Sequence, residues 1–333
     1  MGCGDTKIGV VIPSYKVTSS ILGVLDKIGE EVSRIYVVDD CCPDGSGDHV
    51  LGACDDSRVV VIRNSTNLGV GGAVMAGYMA AIEEGMDVIV KIDGDGQMDP
   101  SLIAAFVAPI ASGAADYTKG NRFYDLEKVR SMPGIRLFGN AVLSFMTKLS
   151  SGYWNVFDPT NGYTAIHADI ARVLPFEKIS KRYFFETDML FRLNTFRAVV
   201  LDVPMPARYA DEVSGLKIQK IIFEFIFKHA RNFSKRIFYN YYLRDLSIAS
   251  IELPLGLLLM MFGAALGSAS WLQAARESIT TSPGTVMLAA LPIILGIQLV
   301  LAFLGYDIAS TPTRVLHTSL AGRSRRTCEK EDV

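Results

Sequence analysis

Short runs of β-branched residues alternate with helical stretches through the first hundred residues of this 333-residue chain. The runs cover residues 8–12, 35–38, 59–63 and 88–92, and each is too short for a helix. Repeated β–α units of this length are typical of a doubly wound, mostly parallel sheet. In such sheets, ligands bind beyond the carboxyl ends of the strands. The alternation therefore predicts an α/β domain with a binding crevice at one edge of its sheet.

Aspartates follow two of these runs directly. Asp39 and Asp40 end the second run, and Asp93 and Asp95, separated by one glycine, end the fourth. Two hard oxygen ligands in a loop of this kind can hold Mg²⁺ or Mn²⁺, and such an ion can bridge a diphosphate. The alternative is an ordinary turn in which the aspartates only accept hydrogen bonds from backbone amides. Both interpretations remain open at this point.

A glycine-rich segment at residues 69–72 follows the third run and precedes a helical stretch. Its spacing is not the G-x-G-x-x-G of dinucleotide-binding folds. A helix N-terminus there can favour a phosphate or a nucleotide. The glycines can equally serve only to let the helix pack closely on a strand. The sequence does not decide between these two interpretations.

Composition argues against several classes of function. The 33 basic and 35 acidic residues nearly balance, so no global positive charge points to nucleic acid. The five cysteines form no C-x-x-C pair, which is typical of free thiols and not of a zinc site. No secretory signal pattern precedes the first run, so we expect this domain to be cytoplasmic.

The last third of the chain has the pattern of a membrane anchor. Basic residues between positions 217 and 244 recur at helical spacing beside many aromatic residues, which predicts amphipathic helices in a lipid headgroup layer. Two uncharged apolar segments, 253–272 and 286–306, are each long enough to cross a bilayer as a helix. Basic residues flank their outer ends, so both outer ends should be cytoplasmic. The charged tail after about residue 311 is expected to be disordered.

Four short motifs give the first half a specific resemblance. They are Val11-Ile12-Pro13-Ser14-Tyr15, Val37-Val38-Asp39-Asp40 with Pro43-Asp44-Gly45, Asn67-Leu68-Gly69, and Ile92-Asp93-Gly94-Asp95-Gly96-Gln97. In this order they resemble the nucleotide-sugar half of a family 2, GT-A-type inverting glycosyltransferase. The resemblance implies a nucleotide-sugar site formed by Pro13, Tyr15, Asp39, Asp40, Asn67, Gly69 and Asp93. It also implies that Asp93, Asp95 and Gln97 hold the Mg²⁺ or Mn²⁺ ion.

The middle of the chain resembles the polyprenyl-phosphate branch of that family. The matching stretches are Asp158-Pro159-Thr160-Asn161-Gly162-Tyr163 and Arg208 with Ser214 and Lys217. By this resemblance the acceptor phosphate is bound by Arg122, Arg136, Thr160, Arg208, Ser214 and Lys217. Candidate catalytic residues are Asp95, the arginines at 122, 136 and 208, and the carboxylates Glu186 and Asp188. Glu186 or Asp188 corresponds to the base of relatives with hydroxyl acceptors. With a phosphate acceptor, we expect each of them to orient the sugar or an arginine instead. Thr164 departs from the branch, which often has arginine at that position.

These observations predict four segments. Residues 1–212 form a cytoplasmic GT-A catalytic domain, 213–246 interface helices, 247–308 a two-helix transmembrane hairpin, and 309–333 a cytoplasmic tail. The expected activity is transfer of a sugar from a UDP- or GDP-sugar to a polyprenyl phosphate in the inner (plasma) membrane. The alternatives are a processive or hydroxyl-acceptor polysaccharide transferase, and a non-catalytic membrane scaffold that binds nucleotide sugar. The spans also offer a surface for a homo-oligomer.

Overall fold

The computed structural model describes residues 6–124, 134–206 and 218–320, apart from the side chains of residues 135, 136 and 218–222. This part contains one seven-stranded sheet, made of β1 (Ile8–Ser14), β2 (Arg34–Asp39), β3 (Val59–Arg63), β4 (Val88–Lys91), β5 (Tyr117–Asn121), β6 (Thr164–His167) and β7 (Val200–Pro204). Its spatial order is β3-β2-β1-β4-β6-β5-β7. Only β6 runs antiparallel to its neighbours, β4 and β5. The predicted doubly wound, mostly parallel sheet is therefore confirmed.

Helices cover both faces of the sheet. They are α1 (Ile21–Leu25), α2 (Ser46–Ala53), α3 (Val70–Glu83), α4 (Ile103–Ala111), α5 (Gly134–Ser151), α6 (Ala168–Val173) and α7 (Phe185–Phe196). Alternate residues of a strand face opposite sides, so Val11 packs in one core and Val10 in the other. Tyr78 of α3 belongs to the first core and Phe106 of α4 to the second. The two cores hold the strand ends in a fixed register at the crevice.

The first helix is shorter than its pattern predicts. The sequence between β1 and β2 predicts a helix from about residue 19 to residue 33, but α1 ends at Leu25. The chain continues in tighter turns, where the amides of Lys27 and Ile28 donate to carbonyls three residues earlier. Gly29 lies at the end of these turns, and glycine is among the poorest helix formers. This part of the prediction is wrong.

The contacts divide the chain into one unit of residues 1–233 with 312–333 and a second unit of residues 234–311. A long helix, α8 (Ile218–Phe238), is followed by a π-helical turn, Tyr239–Arg244. On the part of α8 in the first unit, Phe223 is 78% exposed and Phe227 is 69% exposed. Large exposed aromatic side chains on one helix are typical of a surface that contacts lipid or a partner.

Two helices of the second unit, α9 (Ala249–Glu277) and α10 (Pro283–Ala309), are long and apolar enough to cross a membrane. Their backbones approach closely where Gly256 faces Gly296, as small residues allow in membrane helix pairs. Within the same unit, Arg236 forms a buried ion pair with Asp307, with 2.6 Å between Nη1 and Oδ1. The hydroxyl of Tyr241 donates to the same carboxylate.

The start of the tail is ordered against the first unit. The amides of Leu316 and His317 donate to the carboxylate of Asp116 at 2.9–3.0 Å, and the His317 ring nitrogen Nδ1 lies 2.8 Å from it. Asp116 is fully buried. The expectation of disorder after residue 311 is therefore wrong for residues 312–320. Charge pattern alone missed it because the partner of this segment lies 200 residues earlier in the chain.

Candidate active site

A polar cavity of about 580 Å³ opens at the carboxyl ends of β1 and β4. Its lining comprises Pro13, Ser14, Tyr15, Lys16, Val17, Asp40, Asn67, Gly69, Val70, Ala73, Asp93, Gly94, Asp95, Arg182 and Tyr183. Residues from all four predicted motifs therefore meet in one place. The sequence predicted a crevice at this edge of the sheet, and the cavity lies there.

Asp40 fixes the rim of the polar cavity. Its carboxylate accepts hydrogen bonds from the Asn64 side chain and from the amides of Leu68 and Gly69, at 2.7–2.9 Å. These bonds hold the loop after β3 against the end of β2. Asp40 therefore both lines the cavity and sets the position of Gly69 in it.

Asp39 has a different position from the one that the motif implies. Its two oxygens accept hydrogen bonds from the amides of Cys42 and Gly47, at 2.7 and 2.8 Å. The side chain is buried, and it is absent from the cavity lining. In this structure it ties the end of β2 to the start of α2, so a direct contact with a nucleoside remains only a prediction.

The glycines at the start of α3 serve close packing. The amides of Gly71 and Gly72 donate to the Lys181 carbonyl, so they point at protein and not at the cavity. A Cβ atom at Gly71 would lie 2.6 Å from the Phe185 ring and 2.7 Å from the Ser180 carbonyl oxygen. Of the two interpretations that the sequence left open, the geometry favours packing over phosphate binding.

Asp93 and Asp95 both line the polar cavity. Asp95 accepts a hydrogen bond from the Gln97 amide at 2.9 Å, which orients the loop, whereas the Gln97 side chain is not in the lining. Among the described residues, no group of three or more His, Cys, Asp or Glu side chains is arranged to hold a metal. Mg²⁺ is usually bound by one or two carboxylates together with substrate phosphates. The two aspartates fit a divalent ion that is shared with a bound diphosphate.

A second, apolar cavity of about 820 Å³ adjoins the first. Its lining comprises Val70, Lys91, Asp93, Phe138, Gly139, Val142, Leu143, Met146, Pro159, Thr160, Gly162, Tyr183, Glu186, Thr187, Phe225 and Ile226. Helix α5 contributes five of these residues and α8 contributes the aromatic and aliphatic pair. Its polar groups lie at one end, on β4, the loop before β6 and the start of α7.

Val70, Asp93 and Tyr183 line both cavities. Asp93 therefore stands at the junction of a polar cavity with an apolar one. Two molecules bound in the two cavities would meet beside this carboxylate. Tyr183 is 63% exposed, so its ring can contact a ligand in either cavity.

Lys91 lies at the polar end of the apolar cavity. Its side chain is 1% exposed, and its ammonium nitrogen lies 2.8 Å from Asp93 and 3.5 Å from Glu186. Burial acts to lower the pKa of Lys91, but the two carboxylates outweigh it and the pKa is raised. Its pairing was not predicted from the sequence, although a lysine inside a buried β-branched run indicates a paired charge.

The two candidate carboxylates on α7 have different surroundings. Glu186 lines the apolar cavity, whereas Asp188 is fully buried outside both linings. Asp188 accepts hydrogen bonds from the Ser180 amide at 2.8 Å and from Asn232 of α8 at 2.9 Å. In this structure Asp188 contacts α8, and Glu186 is the one of the two carboxylates that faces a cavity.

Arg122 is held beside the apolar cavity by Asp158. Its Nε and Nη2 atoms lie 2.7 and 2.9 Å from the two carboxylate oxygens, and Nη2 also donates to Thr160 at 3.3 Å. Thr160 lines the cavity. Of the other predicted phosphate ligands, Arg208, Ser214 and Lys217 lie outside the described residues, as does the side chain of Arg136.

A second buried lysine, Lys119 of β5, contacts the loop before β6, which also carries Thr160. Its ammonium donates to the Asn161 carbonyl. Burial lowers the pKa of Lys119 to about 8, against the raising effect of Glu186 and Asp158. This contact was not predicted, because the alternation of residues along a strand does not reveal which loop covers them.

The family model described as glycosyl transferase family 2 matches residues 9–174. An undecaprenyl-phosphate mannosyltransferase of Micrococcus luteus is 32% identical over 203 residues, which is 60% of this chain and 82% of that protein. A UDP-N-acetylglucosamine–dolichyl-phosphate N-acetylglucosaminyltransferase of Methanococcus voltae is 28% identical over 62% of this chain and 88% of its own. A polyprenol monophosphomannose synthase of Mycolicibacterium smegmatis is 26% identical, over 65% and 84%.

Solved structures show the same fold. Glucosyl-3-phosphoglycerate synthase of Mycobacterium tuberculosis bound to UDP superposes with a TM-score of 0.54 at 17% identity, covering 69% of this chain and 81% of that one. The same enzyme with Mn²⁺, UDP-glucose and phosphoglyceric acid gives 0.52 at 18% identity, over 70% and 80%. At this identity the likeness concerns the GT-A fold alone.

Proposed function

Because the chain belongs to glycosyltransferase family 2, we propose that it transfers a sugar from a UDP- or GDP-sugar to a membrane polyprenyl phosphate. The product would be a polyprenyl-phosphate sugar with inverted anomeric configuration. Relatives named for undecaprenyl, dolichyl and polyprenol phosphate acceptors support this choice of acceptor class.

One observation carries the proposal. An apolar cavity of about 820 Å³ meets a polar cavity of about 580 Å³ at Asp93. The polar cavity suits a nucleotide sugar, and the apolar one suits the isoprenoid units that adjoin a lipid phosphate. A transferase for a soluble polar acceptor would gain little from Phe138, Leu143 and Phe225 around its second site.

The reacting atoms belong at the junction of the cavities. A phosphate monoester is already anionic at neutral pH, so it needs no strong general base to attack the anomeric carbon. The new bond joins a phosphate oxygen to that carbon, and the bond from the carbon to the nucleotide diphosphate breaks. Glu186, which lines the apolar cavity, would orient the sugar in this step.

Two anionic substrates must approach each other, so cations are needed around them. Arg122, held bidentately by Asp158 beside Thr160, would supply one of these cations. Arg136, Arg208, Ser214 and Lys217 would complete the phosphate site. Asp93 and Asp95 would hold a Mg²⁺ or Mn²⁺ ion, which supplies charge stabilisation for the departing diphosphate.

The membrane determines where the lipid acceptor can meet the enzyme. A polyprenyl chain does not readily leave the bilayer, because each exposed CH₂ group costs about 0.8 kcal/mol. Two helices long enough to span and the exposed Phe223 and Phe227 of α8 fit a catalytic domain held at the cytoplasmic face of the inner membrane. A homo-oligomer through the spans would be compatible with this arrangement.

The test is an assay of the purified full-length chain with Mn²⁺, undecaprenyl phosphate and a panel of labelled UDP- and GDP-sugars. We expect one donor to label the lipid, and EDTA to abolish the labelling. Polymeric product in place of a monoglycosylated lipid would instead favour a processive synthase. No labelled lipid from any donor in the panel would overturn the proposal.

A further inference from the structure

Lys91 is the described cation that contacts carboxylates of both cavities. Asp93 lines the polar and the apolar cavity, Glu186 lines only the apolar one, and the Lys91 ammonium contacts both. Isolated buried lysines are rare because an unpaired ammonium is costly to bury. Here the burial is compensated by two carboxylates, so the three side chains form one unit, which we call the Lys91 triad.

The triad is enclosed from above by the loop before β6. A Cβ atom at Gly162 would contact the Lys91 ammonium and would lie 2.7 Å from Oδ2 of Asp93. A side chain at position 162 would therefore push the ammonium or the carboxylate aside. The ammonium has no room to move outward, since only 1% of the Lys91 side chain is exposed. The position of the triad is thus fixed from both sides, by β4 below and by Gly162 above.

This geometry has an electrostatic consequence at the junction. An anionic acceptor entering the apolar cavity meets Asp93 and Glu186 at its polar end. Two uncompensated carboxylates would repel it, and they would also repel each other. A fixed ammonium between them offsets part of that charge and holds each carboxylate in place.

We propose that Lys91 is a positioning residue of the transfer reaction. It orients Asp93 and Glu186, and it offsets part of their negative charge where an anionic acceptor approaches. This inference rests on the proposed function. It assigns Lys91 no contact with the anomeric carbon, and it requires no proton transfer from the ammonium. Its effect should fall on use of the acceptor and on turnover and, through Asp93, on the metal-dependent part of nucleotide binding.

The test compares Lys91→Met with Lys148→Met in the full-length chain. Lys148 is a partly buried lysine of α5 that donates to the Trp154 carbonyl and lines neither cavity. For Lys91→Met we expect kcat/KM for undecaprenyl phosphate to fall about 100-fold, the size of effect that misplaced reacting groups produce. The shift in melting temperature caused by UDP with Mn²⁺ should become smaller but not disappear, because Asp95 remains in the polar cavity. Lys148→Met should keep kcat/KM for the lipid within about threefold of the unmodified chain.

A double-mutant cycle with Glu186→Gln separates positioning from simple loss of structure. If Lys91 acts through Glu186, the two substitutions should be non-additive by at least about threefold in kcat/KM for the lipid. Additive effects in the cycle, or a Lys91→Met variant as active as the unmodified chain, would overturn the inference.

Gly162→Ala provides a second approach if Lys91→Met does not fold. It displaces the triad without removing any charge, so kcat/KM for the lipid should fall, while Asp95 should still support a UDP–Mn²⁺ melting shift. Unchanged lipid kinetics in Gly162→Ala would contradict the inference. An unmodified chain that labels no lipid at all would instead contradict the proposed function, so the two failures are distinguishable.

Discussion

Asp93 is the residue that connects the two cavities with the buried Lys91. It follows the central strand β4, it lines both cavities, and it is paired with a buried lysine. Asp95, two positions later, lines only the polar cavity. The two aspartates therefore differ in position, since Asp93 lines both cavities and Asp95 lines only the polar one, where we propose that the nucleotide binds.

Asp95→Asn tests the nucleotide side of this division. Asparagine keeps the size of the side chain but loses the charge that a divalent ion requires. We expect turnover to fall at least about 100-fold, as when one electrostatic stabiliser is removed from an active site. The melting shift caused by UDP with Mn²⁺ should disappear, whereas the ligand-free melting temperature should not change. Asp26→Asn, at an exposed aspartate that follows α1, is the matched control. Retained turnover in Asp95→Asn would contradict the assignment.

The sequence predicted which residues at the strand ends line the cavity, but not which groups form hydrogen bonds with the neighbouring carboxylates. Asp93, Asp95, Asp40, Tyr15 and Asn67 line the polar cavity as expected, because parallel strand ends meet at one edge whatever the details of packing. The structural contacts of Asp39 and Asp188 were not predictable. Each depends on backbone amides or an asparagine that tertiary folding brings to the carboxylate.

At the scale of elements, helices α5 and α8 form the walls of the apolar cavity. Phe225 of α8 packs edge-on against Phe184, with ring centroids 5.3 Å apart. Asn232 and His229 attach the same helix to Asp188 and Ser150. Helix α8 thus lines the apolar cavity in addition to exposing Phe223 and Phe227, and its periodicity alone did not reveal the first of these contacts.

Val142→Trp tests whether the apolar cavity holds the lipid. Val142 lines the cavity and is 42% exposed, so a larger side chain can fill the space without disturbing the core. We expect KM for undecaprenyl phosphate to rise about tenfold, because the lost pocket contacts are apolar, while KM for the nucleotide sugar stays unchanged. Val173→Trp, at a 38% exposed valine of α6 outside both cavities, is the control. Equal lipid KM values for the two variants would contradict this use of the cavity.

The attachment of α8 should depend on pH. Burial lowers the pKa of His229 to about 4 from its usual 6.5, so the folded state favours the neutral ring. Between pH 6.5 and 4 the unfolded chain binds more protons, and stability is lost as the pH falls. This histidine alone should account for about 2 kcal/mol of that loss between pH 7.5 and 5.

The measurement is the melting temperature of the full-length chain and of His229→Gln across this range. We expect the variant to be less stable at pH 7.5, because Ser150 loses its ring partner, but to lose less stability on acidification. Parallel pH profiles for the two proteins would show that His229 does not titrate as inferred.

Asp116 joins the segment after the second span to the sheet. Asp116→Ala would leave the buried amides of Val199 and His317 and the half-buried amide of Leu316 without their acceptor. Unsatisfied buried donors cost about 1–3 kcal/mol each, so we expect a marked fall in melting temperature and faster proteolysis after residue 311. Asp48→Ala removes an exposed partner of Arg63 and should cost less than about 1 kcal/mol. Equal melting temperatures for the two variants would contradict the structural role of Asp116.

At the scale of the whole molecule, the sequence predicted the order of its parts. The β–α alternation and the two apolar segments are local patterns, so they can be recognised without knowing how the elements pack. The returning segment at residues 312–320 was missed because its contacts with Asp116 are not local. The apolar cavity was missed as a cavity for the same reason, since its walls come from α5, α7 and α8.

The combination of a nucleotide-sugar crevice and a lipid-sized cavity leads to one claim, that the acceptor is a phosphate carried by a polyprenyl chain. The most direct measurement is transfer of labelled sugar by the full-length chain to undecaprenyl phosphate and, in parallel, to undecaprenol. We predict one sugar per lipid with the phosphate and no product with the alcohol. Equal labelling of the alcohol, or label found only in polymer or in free sugar, would contradict the claim.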